Sequence, residues 1–202
     1  MSTTLPGSDG QPRCRWCAAA PQFEAYHDHE WGFPVADDTR LFEKLCLESF
    51  QSGLSWRTIL DKRDNFRRAF CGFDFHRIAD FGEPQVAALL QDDGIVRHRG
   101  KIEAVIHNAR CAVQLQAEQG SLAAYFWRFE VDPAEAALPR QDGVAPQALA
   151  LARDLKKRGW KFLGPTTVYA FMQAMGLVND HAPGCVVSQS VRQARAAFRA
   201  PA

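Results

Sequence analysis

The 202-residue sequence contains no apolar run long enough to cross a membrane, and its opening MSTTLPGSDGQPR is polar and turn-rich, without the hydrophobic centre of a secretory signal. A soluble, cytoplasmic protein without membrane contact is expected. An excess of charge of one sign is missing too: 24 Lys and Arg stand against 23 Asp and Glu, a formal net charge of +1. Composition therefore does not announce a polyanionic partner, and any nucleic-acid surface must be local. Strand-like alternation of apolar and polar residues is also wanting, so the fold class reads as all-α. What is plentiful is apolar material, 47% of the chain, enough for one sizeable core or two small lobes sharing a cleft.

Six cysteines, Cys14, Cys17, Cys46, Cys71, Cys111 and Cys185, occur without an export signal, which makes a disulfide framework the weaker explanation and leaves metal binding or plain burial. Cys46, Cys111 and Cys71 read as small buried hydrophobes.

Helices follow one another along the chain. Asp37 or Asp38 can cap a helix from Asp38 to about Phe50, whose Leu41, Phe42, Leu45 and Cys46 form an apolar stripe. Ser55 caps a second, with Trp56, Ile59, Leu60, Phe66 and Phe70 as its apolar positions. Pro84 suits the first turn of a short helix, and Ile102, Val105, Ala109 and Val113 mark a long one closed by Gly120. Ser121 begins LAAYFWRF, and Asp132 to Gly143, with Pro133 and Pro139, reads as an extended connector that divides two lobes. Beyond it Pro146 opens a helix that Gly159 ends, GWKFLG intervenes, and a last helix runs from Pro165 to Met175.

A helix, a short glycine-bounded hairpin and a second helix can aim backbone N–H groups and a positive helix end at a phosphate. Lys156, Lys157, Arg158 and Lys161 surround that hairpin, and Arg97, His98, Arg99 and Lys101 form a second basic knot around Gly100. Solvated loops would carry the same residues; two knots on a nearly neutral chain favour a common DNA-facing side.

Candidate metal ligands lie at opposite ends of the chain. His181 and Cys185, four residues apart around Pro183 and Gly184, can turn toward one ion, and Cys14, Cys17, His27 and His29 offer thiolates and imidazoles near the N-terminus. Two Cys and two His would close a tetrahedron with no open position, the structural arrangement of zinc. Spacing alone does not separate this from scattered histidines and an unpaired CxxC, nor Cys14 from Cys17. The N-terminal segment is also rich in aromatics, Trp16, Phe23, Tyr26 and Trp31, with Trp56 following. Most would simply be packed. Glu48 falls on the edge of the Leu41 and Leu45 stripe, where a carboxylate is costly unless paired or employed. Geometry alone favours a pairing with an arginine of the following helix.

These residues carry a resemblance. RCRW (13–16), YHDHEWG (26–32), LFEKLCLES (41–49), QSGLSW (51–56), GIVRHRGKI (94–102), LKKRGWKFLGPT (155–166) and FMQAMGLVNDH (171–181) are similar, in order, to blocks of the 3-methyladenine-DNA glycosylases of the constitutive bacterial type, in the helix-hairpin-helix superfamily. The resemblance implies helical lobes around a base-binding cleft within one domain over residues 13–187. Its helix-hairpin-helix falls at about 145–176 and its zinc segments at 14–27 and 181–185, with a flexible N-terminus at 1–12 and a tail at 188–202. It places one structural zinc on Cys14, His27, His181 and Cys185, leaving Cys17 and His29 as bystanders. The base pocket falls on Trp16, Phe23, Tyr26, Glu48 and Trp56, with Glu48 catalytic. The DNA wedge falls on Gly53 and Leu54, and the remaining DNA contacts on Arg97, Arg99, Lys101, Lys157, Gly159, Lys161, Gly164 and Thr166.

The implied activity is hydrolysis of the N-glycosidic bond of 3-methyladenine in double-stranded DNA by a monomer, leaving an abasic site. N3 methylation makes the base cationic and already a good leaving group, so aromatic faces and one carboxylate suit its recognition. Asn179 stands near the place where many superfamily members carry an aspartate, and Asp180 is not assigned as a base. Lys161 is read as a phosphate contact rather than a Schiff-base nucleophile, so no lyase activity is expected. Phe23 replaces a tyrosine common in the family. A DNA-binding module without catalysis and a zinc hydrolase are the competing readings; Glu48 argues against the first and four protein ligands against the second.

Overall fold

The computed structural model describes residues 3–132 and 143–201. Among them a two-stranded antiparallel ribbon, β1 (Thr4–Pro6) and β2 (Pro12–Cys14), leads into helices α1 (Gln22–His29), α2 (Asp38–Gln51), α3 (Trp56–Asp61), α4 (Arg63–Ala69), α5 (Phe75–Ala79), α6 (Glu83–Leu89), α7 (Arg99–Gln119) and α8 (Leu122–Phe126), then α9 (Pro146–Lys157), α10 (Pro165–Ala174) and α11 (Ser188–Ala197). The predominantly helical reading holds, and no helix among the described residues is long and apolar enough to cross a membrane. Pro133 and Pro139 of the predicted connector lie outside the described residues.

The centre of the molecule is α2. The Asp37 side chain accepts from the Arg40 N–H at 2.8 Å and starts the helix, and every residue from Leu41 to Phe50 is buried, as befits a helix enclosed on all sides. Asp38 does not cap; its carboxylate accepts from Gln116 Nε2 and the Ala123 N–H, both at 2.9 Å, and so ties α2 to the end of α7 and the start of α8. Helix α10 packs against both α2 and α9, and α7 lies along α5. Pro146 and Pro165 occupy the first turns of α9 and α10, where a missing N–H leaves no helical bond unmade.

Three expectations are corrected. Over residues 1–12 a flexible segment was expected and no strand anywhere. Instead Thr4 pairs with Cys14, Leu5 with Arg13 and Pro6 with Pro12, and the buried Arg13 guanidinium fastens the ribbon to Asp9 and Asp28. Strands of three residues are too short to show alternation. Residues 188–202 were expected as a tail, yet α11 buries Val191 completely. Arg195 donates to Glu130 at 2.6 Å and to the carbonyls of Val131 and Leu177, while Phe198 lies 4.3 Å from the Trp127 ring. The single helix expected after Ser55 breaks at Lys62 (φ −97°, ψ 1°) into α3 and α4. Ile59, Phe66 and Phe70 are fully buried all the same, so apolar spacing could not disclose the break.

The segment that follows α1 meets the end of α10. The Gly32 N–H donates to Ala174 O and the Val35 N–H to Met175 O, at 3.2 and 3.3 Å. Gly176 makes the crossing possible: its φ is +80°, and a Cβ there would fall 2.6 Å from the backbone of Phe33 and Pro34.

Candidate active site and metal centre

Cys14 ends β2, His27 lies in the last turn of α1, and His181 and Cys185 stand on the loop between α10 and α11. All four are buried, and their ligand atoms lie within 4.8 Å of one another. Cys14 Sγ is 3.6 Å from His181 Nδ1, and Cys185 Sγ is 3.5 Å from both His181 Nδ1 and His27 Nε2. Each imidazole is oriented from outside the cluster. His27 uses its other nitrogen, Nδ1, on Asp28 at 2.7 Å, and Arg13 Nη2 holds Asp28 at 2.7 Å in turn. His181 Nε2 donates to the Trp31 carbonyl at 3.1 Å. Imidazoles fixed in this way leave a bare ring nitrogen pointing inward, the usual arrangement behind a metal-binding histidine. Burial pushes the Cys14 thiol up to about 12 and holds His181 down to about 4, so burial alone favours the thiol and the neutral imidazole, and a nearby cation would favour the thiolate. The cluster could hold a metal ion. Of the alternatives left open by spacing, Cys17 packs instead with Ala20 and Phe23, and His29 is exposed.

Beside this cluster a cleft of about 370 Å³ opens to solvent, lined by Trp16, Ala19, Phe23, Tyr26, Trp31, Glu48, Gln51, Trp56 and Ala170. All five predicted pocket residues are therefore together. Trp16 packs edge-on against Phe23, Tyr26 and Trp31, with ring centroids 5.8, 6.3 and 5.2 Å away, and Tyr26 meets Trp56 at 5.4 Å. Glu48, 6% exposed, does not pair with an arginine of the next helix. Arg67 of α4 takes Glu43 instead, at 2.8 Å, while Lys44, one turn before Glu48 on α2, places Nζ 2.8 Å from Glu48 Oε1. The same ammonium donates to the Tyr26 hydroxyl at 2.6 Å and lies 3.6 Å from the centroid of the Trp56 ring. Burial lowers the Lys44 pKa against the pull of Glu48, and burial followed by the Glu48 charge raises that of Tyr26. The Trp56 indole N–H is buried without a hydrogen-bond partner among the described residues. Lys44 escaped the reading of the sequence although its i,i+4 spacing to Glu48 was visible; Trp31 was noted among the N-terminal aromatics but not assigned to the pocket, and Gln51, Ala19 and Ala170 had no signal as lining residues.

The residues predicted to face DNA divide into two groups. Arg97, Lys157, Gly159, Lys161, Gly164 and Thr166 are exposed, and Leu54, at the end of α2, is one of the few exposed large apolar side chains. The hairpin between α9 and α10 is clamped from α7: Asn108 exchanges two hydrogen bonds with the Lys161 backbone, at 2.8 and 3.0 Å, and His107 Nε2 donates to Gly159 O at 2.8 Å. Arg99 is exposed but held by Glu83 and Glu103 at 2.9 and 3.2 Å. Lys101 departs from the expectation of a phosphate-facing cation, because its ammonium is buried against two carbonyls of the α2 end. Asp180 accepts from the Tyr169 hydroxyl and from Gln173 Nε2.

Comparison with known proteins matches residues 16–188 to the model of the methyladenine glycosylases. The chain belongs to that family. It is 45% identical to DNA-3-methyladenine glycosylase 1 of Escherichia coli strain K12, over 86% of this chain and 95% of the relative. The crystal structure of a 3-methyladenine DNA glycosylase I superposes with a TM-score of 0.77 at 46% identity, covering 86% of this chain and 98% of the other. A tyrosine-to-phenylalanine variant of such an enzyme, crystallised in complex with 3-methyladenine, superposes at 0.78 with 32% identity, covering 87% and 97%. Membership of the family makes the chain a DNA glycosylase, and the open aromatic cleft with a carboxylate in its wall is the part of the fold suited to a base.

Proposed function

We infer that this chain is a DNA-3-methyladenine glycosylase, which hydrolyses the N-glycosidic bond of 3-methyladenine in duplex DNA and releases the free base. The observation that carries the reading is the solvent-open cleft in which Trp16, Tyr26 and Trp56 surround the buried Glu48 carboxylate. The enzyme extrudes the nucleotide, at a cost of a few kcal/mol, and receives the base between aromatic faces. A cationic base gains cation–π attraction of about 0.5 to 2 kcal/mol per ring and a charge-assisted hydrogen bond to Glu48. Lys44 engages Oε1 of that carboxylate and Glu48 has no other partner among the described residues, which leaves an oxygen for the exocyclic amine of the base. Neutral adenine gains less and is better stacked in the duplex. Glu48 acts on the bound base, Phe23 closes the rim without a hydroxyl, and release is hydrolytic, without a covalent intermediate or lyase step.

Gly53 and Leu54 form the wedge that fills the gap in the duplex. The helix-hairpin-helix over about 145–176, with Lys157, Gly159, Lys161, Gly164 and Thr166, grips the phosphate backbone, and Arg97 and Arg99 add charge beside it. One zinc ion is held by Cys14, His27, His181 and Cys185. For tetrahedral zinc with Zn–S of about 2.3 Å and Zn–N of about 2.05 Å, the S···N edge is about 3.6 Å, against 3.5 to 3.6 Å for the Cys14–His181, Cys185–His27 and Cys185–His181 edges. With four protein ligands the ion supplies no chemistry; it pins the segment that carries Trp16 and Tyr26. The chain works as a soluble cytoplasmic monomer, with 13–187 as its glycosylase domain.

Release of free 3-methyladenine from methylated duplex DNA, compared between wild type and Glu48→Ala, tests the reading. Loss of release in the variant supports it. Equal release removes Glu48 from the mechanism, and no release by wild type leaves only a DNA-binding module.

A further inference from the structure

Lys101 is the third residue of α7 and is 7% exposed. Its Nζ donates to Phe50 O at 2.8 Å and to Ser52 O at 2.5 Å, about fifty residues away in the chain. Those carbonyls belong to the last turn and cap of α2, where oxygens lack helical partners and the negative end of the helix dipole gathers. An ammonium that bonds two of them satisfies and neutralises that end at once.

The residues just beyond form a rigid turn. Ser52 has φ −50° and ψ 117°, Gly53 has φ +79°, and the Leu54 N–H donates to Gln51 O at 2.7 Å. This is a type II turn, whose third position requires positive φ and therefore glycine. Gln51 Nε2 closes it from the other side on Leu54 O, also at 2.7 Å. Leu54 projects from this turn, 39% exposed. Lys101 is itself held in place, since its N–H donates to His98 Nδ1 at 3.2 Å, and the His98 ring meets Phe162 of the hairpin edge-on at 6.4 Å. Hairpin, α7 start and turn are thus one contiguous body.

We propose that Lys101 is a positioning residue for the DNA wedge: its buried ammonium holds the carbonyl end of α2 and so fixes the turn that presents Leu54 to the duplex. The proposal rests on the reading of Gly53 and Leu54 as the wedge. Lys101 touches neither base nor phosphate. Its effect is on how reliably Leu54 enters the stack, and a displacement of about 1 Å at such a point slows a reaction on the order of a hundredfold.

The test uses Lys101→Met, Lys101→Arg, Leu54→Ala and the double variant Lys101→Met with Leu54→Ala, in the full chain. Single-turnover release of 3-methyladenine from methylated duplex is measured together with affinity for free 3-methyladenine and the salt dependence of duplex binding. Lys101→Met and Leu54→Ala are expected to slow release by about tenfold or more each, with the double variant no slower than the worse single one. Lys101→Arg, which keeps donors at the turn, retains more activity than Lys101→Met. Affinity for the free base stays at the wild-type value, which shows that the variants are folded around an intact cleft. The proposal fails if Lys101→Met releases base at the wild-type rate while Leu54→Ala does not, if the two effects multiply, or if free-base affinity is lost. A fall of about 0.9 in the salt slope would make Lys101 a phosphate ligand and also overturn it. Wild-type release by Leu54→Ala sinks the wedge reading itself, whatever Lys101→Met does.

Discussion

The Cys/His cluster and the aromatic cleft share a wall, yet their polar groups are treated in opposite ways. In the cluster each histidine has one ring nitrogen held by Asp28 or the Trp31 carbonyl and the other turned inward toward the Cys185 sulfur. In the cleft, among the described residues, the Glu48 carboxylate is bonded through one oxygen and the buried Trp56 N–H has no hydrogen-bond partner. Trp16 and Trp31 belong to both regions: Trp16 lies 5.4 Å from the His27 ring and Trp31 4.6 Å from that of His181, while both line the cleft. A closed polar site serves the fold, whereas an open one with unfinished hydrogen bonding is prepared for a ligand.

The comparison breaks most visibly at the cluster. Cys185→Ser is expected to abolish binding of the proposed zinc ion and to destabilise the chain by about 4 kcal/mol, the scale of a cross-link closing a long loop. Denaturant titration with metal analysis measures both. Unchanged metal content and affinity would mean that the ligand set is wrong.

On the cleft side, Lys44→Met leaves Glu48 buried without its partner, and a loss on the order of 3 kcal/mol is expected. Adding Glu48→Gln should recover most of it. If the two losses simply add, the ion pair is not what stabilises this part of α2.

Glu48→Gln alone keeps the shape of the cleft but not its charge. Base release should fall about a hundredfold, near 2.7 kcal/mol of barrier, while stability falls by no more than in Lys44→Met, because the Lys44 ammonium keeps the Gln oxygen and the Tyr26 hydroxyl as hydrogen-bond acceptors. An equal effect on metal content and on rate would erase the distinction between the two regions.

Asp28→Asn gives the smallest effect. It weakens the support of His27 and should lower metal affinity by about ten- to a hundredfold, while zinc-saturated variant and wild type release base at the same rate. Competition with a chelator reads the first quantity and the release assay the second.

Much of this molecule was legible locally. The caps at Ser55 and Ser121 appear where side-chain type and the following apolar spacing put them, and the first helix is capped by Asp37, one of the two aspartates the spacing allowed, because a cap needs only the next three residues. The burial of Glu48 could be read from its phase on α2. The break at Lys62 could not, since apolar residues on both sides keep the same face. The ribbon over residues 4–14 was missed because its anchor is an ion pair between Arg13 and Asp28, on a later helix.

The sequence by itself determined which chemistry was available: two thiols and two imidazoles at opposite ends, an aromatic N-terminal segment, a carboxylate inside an apolar face, and a glycine where a type II turn needs one. These follow from residue type and from spacings of one to four residues, within reach of φ/ψ preference and helical phase. Only the tertiary structure decided the partners. It gave Glu48 to Lys44 rather than to Arg67 and turned Lys101 inward to the end of α2, and it brought Cys14, which spacing alone could not separate from Cys17 but the family resemblance did, together with the other three candidate ligands. Such choices depend on which surfaces pack together across long stretches of chain, and no local pattern encodes the side of α7 on which a lysine finds its acceptors.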